Sequence, residues 1–443
     1  MILNSNRNRE KFIQISLIVM TLVMIILRFL LNEKGRTNPD SIRFMRTSEA
    51  FPVIDNTVTP MGYPLSLKFL TLFGLDEFWA SKVIGIGAYL FIVWFAWKKK
   101  FYLKEAVLIG GLVSYVSIFS YTMSEPLMLP FVFVFLYISR NVIVGNYSSS
   151  TSLLYLSLML ILMYNIRYSA LFFMGGASLY GIISWRKKYG KAFFFSGITG
   201  MIFMVLYKFL FIDYFNEQYV EQFLNIGLHP TSKLLVELFQ GLTTSFNPFI
   251  HIANPGGGMI NYGIYGIGAL NILLIIFLFI KNPLSETEKY FVLIGVTGIL
   301  CSYFVQYFYS VNAIDYRLLS PFILSLWIVE FKKLYQIFGK LTYGITVLSL
   351  LTGFTFSWLS KGNYLENRKE IRKFLAEENL ETAPLKFYVP DEKDLPRVKI
   401  AELVSTVNPR VSMTFKPEDT LQRTTLYAER VLRKIKIQKN KYQ

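Results

Sequence analysis

Long apolar runs recur along most of this chain, many of them close to twenty residues long. At 1.5 Å per residue, about twenty helical residues cross a hydrocarbon core of about 30 Å. Within such a core every backbone polar group must be satisfied internally, so only helices or a closed barrel can span it. A barrel strand would show two-residue alternation over about ten residues instead. The expected fold is therefore all-α and polytopic, embedded in a lipid bilayer. Composition points the same way: of 443 residues 53% are hydrophobic and only 17% charged, with a mean hydropathy of +0.41. Soluble chains carry about 25% charged residues, and disorder requires low hydrophobicity. The net charge of +17 is read as basic flanks of membrane spans facing anionic headgroups, with no nucleic-acid partner.

About eleven spans meet the length criterion, near residues 12–31, 79–97, 104–122, 126–140, 152–166, 168–185, 192–212, 262–280, 289–309, 318–331 and 341–359. The stretch Phe12–Leu31 is too long for a cleavable signal and lacks a small-residue cleavage site, so it reads as a retained span. The apolar run around Arg167 is too long for one crossing and has a charge at its middle; two helices joined by a tight turn fit it better. Lysines and arginines before the first span, after spans two, four and six, and around residues 281–289 and 332–340 share one side when the N-terminus is cytoplasmic. The expected organisation is a multi-pass cell-membrane protein (inner or plasma membrane). A transmembrane domain covers 1–359, with outer loops at about 32–78 and 213–261.

The segment 360–443 changes character: it is charged and has no membrane-length run, and it reads as a small soluble α/β domain. Tyr364–Glu377 looks helical, and Lys386–Val389 and Arg410–Phe415 look like strands. With eleven spans this domain lies outside.

Chemistry has to be sought at the outer turns, because charged groups at membrane depth are costly and usually paired or functional. Asp40 and Glu49 lie in the first outer loop, followed by Asp55, Tyr63 and the amphipathic stretch Leu65–Leu75. Glu125 falls between spans three and four, Arg167 between five and six, and Asp315 and Arg317 between nine and ten. Each has a structural alternative. Asp40 suits the N-cap of a helix running to Ala50, Glu125 can cap the fourth span, and Arg167 and Arg317 can snorkel to headgroups. His229 and His251 lack partners at ligand spacing and read as polar surface or structural residues. Gly256–Gly258 reads as a flexible turn, since it lacks the lysine of a phosphate loop. The lone Cys301 cannot form an intrachain disulfide. Asp40, Glu49, Asp55, Asp76 and Glu77 offer oxygen ligands, but no spacing marks a metal site and none is assigned.

Taken in order, the outer motifs resemble those of GT-C-fold glycosyltransferases, such as protein O-mannosyltransferases and lipid A aminoarabinose transferases. Asp40-Ser41-x-x-Phe44 runs on to Ala50, then come Gly62-Tyr63-Pro64-Leu65 and Phe73-Gly74, Ser124-Glu125-Pro126, Arg167-Tyr168, and Asp315-Tyr316-Arg317-Leu318-Leu319-x-Pro321. Ser41 stands where some members carry a second acid, and Leu318 where many carry tyrosine. The resemblance implies transfer of a sugar, with inversion, from a polyprenyl-phosphate donor to a glycan, lipid or protein acceptor at the extracytoplasmic face. It implies Asp40 as the catalytic base, Arg167 and Arg317 as donor-phosphate ligands, and Glu125, Glu49, Tyr63 and Asp315 in support. No cofactor follows with certainty; a divalent metal is possible but not indicated. The alternatives are a membrane polysaccharide polymerase or ligase and a lipid-linked glycan transporter. The first is disfavoured by an outer loop 213–261 without arginine. The second is disfavoured by charges gathered at one face and by two halves without matched broken helices.

Overall fold

The structure is a computed structural model that describes residues 2–54, 57–216, 232–251, 257–309, 314–391 and 394–434. Asp55, His229 and Gly256 lie outside the described residues. Helices dominate, as the apolar runs require. In chain order they are α1 (Ile2–Leu31), α2 (Pro39–Ala50), α3 (Gly62–Thr71), α4 (Glu77–Lys99), α5 (Leu103–Gly110), α6 (Val113–Phe119), α7 (Glu125–Val144), α8 (Ser149–Ile166), α9 (Leu171–Ile183) and α10 (Gly190–Tyr207). A π-turn at Lys208–Ile212 extends α10 as far as Phe215. Then follow α11 (Ser232–Ser245), α12 (Met259–Lys281), α13 (Glu286–Tyr309), α14 (Tyr316–Phe338) and α15 (Tyr343–Leu359).

Among the described residues 8 segments are both long and apolar enough to cross a membrane, and a shorter apolar helix covers Tyr168–Ile183. One of the 8, Tyr316–Leu359, holds both α14 and α15, separated by a 3-10 turn at Gly339–Thr342. The expected span at 104–122 is not one helix but the pair α5 and α6, broken at Gly111–Leu112. The break lies against α1 and α15. A Cβ on Gly111 would come within 2.4 Å of Thr346 Cγ2. The polar groups it frees are taken up by α15: Ser349 Oγ accepts from the Val113 amide at 2.8 Å, and Thr346 Oγ1 donates to the Leu108 carbonyl at 3.0 Å. Irregular backbone at membrane depth persists only where neighbouring groups satisfy it in this way. Among the described residues, the 8 segments, the Tyr168–Ile183 helix and this pair overlap the stretches expected as spans. Arg167, in extended backbone (φ −149°, ψ 131°), breaks the long run after α8.

The first outer loop folds into α2 and α3. Asn38, not Asp40, caps α2: its side chain accepts from the Ser41 amide, and Ser41 Oγ accepts from the Asn38 amide. Asp40 sits instead in the first turn, where its charge suits the positive helix end.

After α15 come α16 (Tyr364–Glu377), β1 (Leu385–Tyr388), α17 (Leu395–Ser405), β2 (Val411–Thr414), β3 (Thr425–Tyr427) and α18 (Ala428–Lys434). The three strands form a parallel sheet in the order β2-β1-β3. The helix and two of the strands match the sequence reading; α17 and β3 are too short and too weakly patterned to have been found. This segment does not stand apart from the outer helices. Phe44, Tyr63 and Phe78 share one buried apolar cluster with Tyr364, Phe374, Leu375 and Phe387. Ion pairs fasten the same joint: Asp76 meets Arg368 and Arg372, both at 2.8 Å, and Glu49 meets Arg410 at 2.8 Å. A bridge between Asn32 and Lys361 joins the ends of the first and last spans, so the outer loop and the tail lie on one face of the bundle.

Candidate active site

The polar residues of the outer turns come together where α7 and α14 begin and α8 ends. Glu125 opens α7 just after Ser124 and is fully buried. It does not cap the helix with its side chain; its carboxylate lies 2.7 Å from Arg167 Nη1, which also donates to Ser124 Oγ at 3.2 Å. Asp315, also buried, caps α14 by accepting from the amides of Arg317 and Leu318. Its second oxygen accepts from Arg317 Nε at 2.7 Å. Neither arginine therefore snorkels free to the headgroups. The two pairs face each other closely enough for Glu125 to interact electrostatically with both Asp315 and Arg317.

Arg36, which sequence reasoning missed, completes the cluster. It occupies a left-handed turn (φ 59°) after Gly35 and donates to the Ser117 carbonyl and to Tyr316 Oη, at 3.2 and 3.1 Å. Its guanidinium lies 4.3 Å from the centre of the Tyr121 ring, and that of Arg317 lies 5.3 Å from it. Tyr121 is thus a shared aromatic neighbour of two cations. Burial pushes its phenol up to about 12, against the pull of both arginines. Nε of Arg36 and Nη1 of Arg317 are buried without a hydrogen-bond partner. Nothing local marks Arg36 in the sequence, where Lys34, Arg43 and Arg46 are close neighbours in the chain.

Lys82 of α4 sets the position of this turn. It is buried and donates to the carbonyls of Gly35 and Ser120 and to Thr122 Oγ1, at 2.8, 3.0 and 2.9 Å. At Gly35 (φ 57°) a Cβ would come within 2.2 Å of the Tyr364 ring, so only glycine fits. His251, expected as a residue without partners, instead packs on the Tyr316 ring with 3.8 Å between centroids, and its Nδ1 is buried without a hydrogen bond. Burial, then the charges of Arg28, Arg36 and Arg317, hold this imidazole well below its ordinary range.

The other expected residues lie around this cluster. Tyr63 is buried against Phe44, and burial followed by the Glu125 charge holds its phenol above its ordinary value. Glu49 is taken up by Lys68 at 3.6 Å and by Arg410. Asp40 is 46% exposed and meets Arg43 at 3.7 Å; among the described residues it makes no ion pair with Arg167 or Arg317. The structure thus gathers Glu125, Arg167, Asp315 and Arg317, while Asp40 stays half-exposed in the first turn of α2 with Arg43 as its ion-pair partner.

These features define a multi-pass membrane protein with a buried, arginine-rich polar cluster at one face of its bundle. No protein-family model matches the sequence, and no curated protein matches it. Solved structures do resemble it. The crystal structure of ArnT from Cupriavidus metallidurans bound to undecaprenyl phosphate is similar over 94% of this chain and 89% of that one, at 13% identity and a TM-score of 0.49. The crystal structure of the same protein in the apo state is similar over 90% and 85%, at 14% identity and a TM-score of 0.42.

Proposed function

We propose that this protein is a GT-C-type membrane glycosyltransferase that moves a sugar from a polyprenyl-phosphate donor to an acceptor hydroxyl at the extracytoplasmic face. The observation that carries this reading is the pair of unpartnered guanidinium N–H groups on Arg36 and Arg317, flanking Tyr121. A buried donor without an acceptor costs about 1–3 kcal/mol, more when charged. Such groups persist where a ligand supplies the acceptor, and planar guanidinium forks suit phosphate oxygens. The order and sidedness of the outer motifs support the same reading.

In the reaction the acceptor oxygen attacks the anomeric carbon, the new C–O bond forms with inversion, and the bond to the phosphate oxygen breaks. Asp40 accepts the hydroxyl proton; its exposed carboxylate is held only loosely by Arg43. Negative charge gathers on the departing lipid phosphate, where Arg36 and Arg317 stabilise it. Arg167, fixed by Glu125 and Ser124, supports the donor phosphate, and Asp315 fixes Arg317. Tyr63 and Glu49 hold α2 and α3 in place. The N-terminus is then cytoplasmic, and the domain after Leu359 covers the site or meets the acceptor.

The test is sugar transfer from a panel of radiolabelled polyprenyl-phosphate sugars, comparing membranes carrying wild type with Asp40→Asn and Arg317→Ala. Transfer by the wild type that is lost in both variants is expected. Absence of transfer from every donor, with the protein folded, overturns the reading.

A further inference from the structure

The face of the bundle opposite the arginine cluster carries a second built feature, a cavity of about 830 Å³ between α4, α5, α7, α13 and α14. Its lining includes Lys100, Lys104, Arg140 and Lys332 against a single acid among the described residues, Glu105. Lys104 is paired with Glu10 at 2.9 Å, and Lys332 shares Glu288 with Lys333 at 2.6 and 3.2 Å. Among the described residues Lys100 and Arg140 have no carboxylate partner; the Arg140 guanidinium lies over the Phe101 ring at 5.8 Å and near Tyr102. Glu105 is buried in the first turn of α5, whose positive end offsets its charge. No side chain caps that turn, and Tyr102, Leu103 and Lys104 of the same turn line the cavity. Uncapped helix amides beside cations make an anion site.

The backbone here is also strained. Lys100 and Tyr102 are both left-handed (φ 49° and 48°), with Phe101 between them driven into the core. Left-handed backbone is unfavourable for residues other than glycine and asparagine. Glycine at position 100 would relieve it, yet the chain holds a lysine against the cavity. The rim carries Trp97, which is two-thirds exposed, as befits the level of the membrane interface.

We propose that this cavity binds the phosphate group of an anionic ligand at the membrane face opposite the arginine cluster. The headgroup of an anionic phospholipid and free phosphate share that chemistry. The site is independent of the glycosyltransferase reading.

The purified protein, equilibrated with equal amounts of phosphatidylglycerol and phosphatidylcholine in mixed micelles, is examined by native mass spectrometry for retained lipid. A second arm follows its thermal unfolding with added inorganic phosphate. Wild type is expected to retain phosphatidylglycerol selectively. A Lys100→Gly/Arg140→Ala variant loses this retention about tenfold or more, and Lys100→Arg keeps it. Lys100→Gly alone removes the strained backbone, so it is expected to melt no lower than wild type while binding more weakly, which separates loss of the site from loss of the fold. A thermal shift with inorganic phosphate that the double variant abolishes, without selective lipid retention, assigns the site to free phosphate. Equal retention by wild type and double variant, or no response of the wild type to either ligand, overturns the proposal.

Discussion

Arg167 Nη1 lies 2.7 Å from Glu125 Oε1, joining the C-terminal end of α8 to the first residue of α7. The carboxylate is buried and the guanidinium nearly so. Removing one partner of such a pair leaves the other charge stranded, which costs about 3–5 kcal/mol, whereas replacing both costs far less. Glu125→Gln is therefore expected to lower thermal stability sharply, and Glu125→Gln combined with Arg167→Leu to recover much of the loss. A double-mutant cycle on unfolding in detergent measures the coupling; purely additive effects would refute it.

Arg36 carries more of the proposed donor binding than its absence from any motif suggests. Arg36→Ala is expected to reduce kcat/KM for the lipid-phosphate donor by about a hundredfold. Arg36→Lys should restore little, because an ammonium cannot reproduce the planar fork. Steady-state kinetics with varied donor reads this out directly.

The proposed base makes a different kinetic prediction. Asp40→Asn should lower kcat by roughly 10²–10⁴-fold, with donor affinity little changed. A fall confined to donor affinity would remove Asp40 from proton transfer.

Lys82→Met takes the donor from the Gly35 and Ser120 carbonyls, while Thr122 Oγ1 keeps its bond with Ser81 Oγ. A loss of about 3 kcal/mol or more is expected from those unsatisfied groups. Because the same turn carries Arg36, donor KM should rise even in preparations that remain folded.

The segment after α15 holds a buried acid that predicts a pH dependence. Glu402 in α17 is buried, and burial pushes its carboxyl up to about 7, with Lys34 and Lys399 pulling it down. The folded state therefore holds this proton more tightly than the unfolded chain does. Its contribution is full below about pH 4.5 and is lost as pH rises through about 7. Glu402→Gln should flatten that loss, gaining at most about 3 kcal/mol at pH 8. Thermal unfolding of both proteins across pH 5–8 checks it.

The long apolar helices were legible because burial in lipid demands length and apolarity together, and both are local properties. The break at Gly111–Leu112 was not, because what permits it is Ser349 and Thr346, more than two hundred residues away. Glu125, Arg167, Asp315 and Arg317 could be placed from sequence because each marks a turn on the same face. Arg36 and His251 could not, because they enter the site through tertiary contacts with Tyr121 and Tyr316. The cap of α2 was misplaced by two residues: Asn38 and Asp40 both suit a helix start, and only the reciprocal bonds with Ser41 decide between them.

The buried cluster shared by the outer helices and the C-terminal segment imposes an order in time. Asp76 and Arg368, which meet at 2.8 Å, are separated by 292 positions in the chain. During synthesis α2 and α3 are made long before their packing partners exist. Phe44, Tyr63 and Phe78 must wait for Tyr364 and Phe374, which emerge only after the last span. A chain truncated after Leu359 is thus expected to leave α2 and α3 open to protease, and the complete chain to protect them. Emergence of the segment after Leu359 becomes the event that assembles this face.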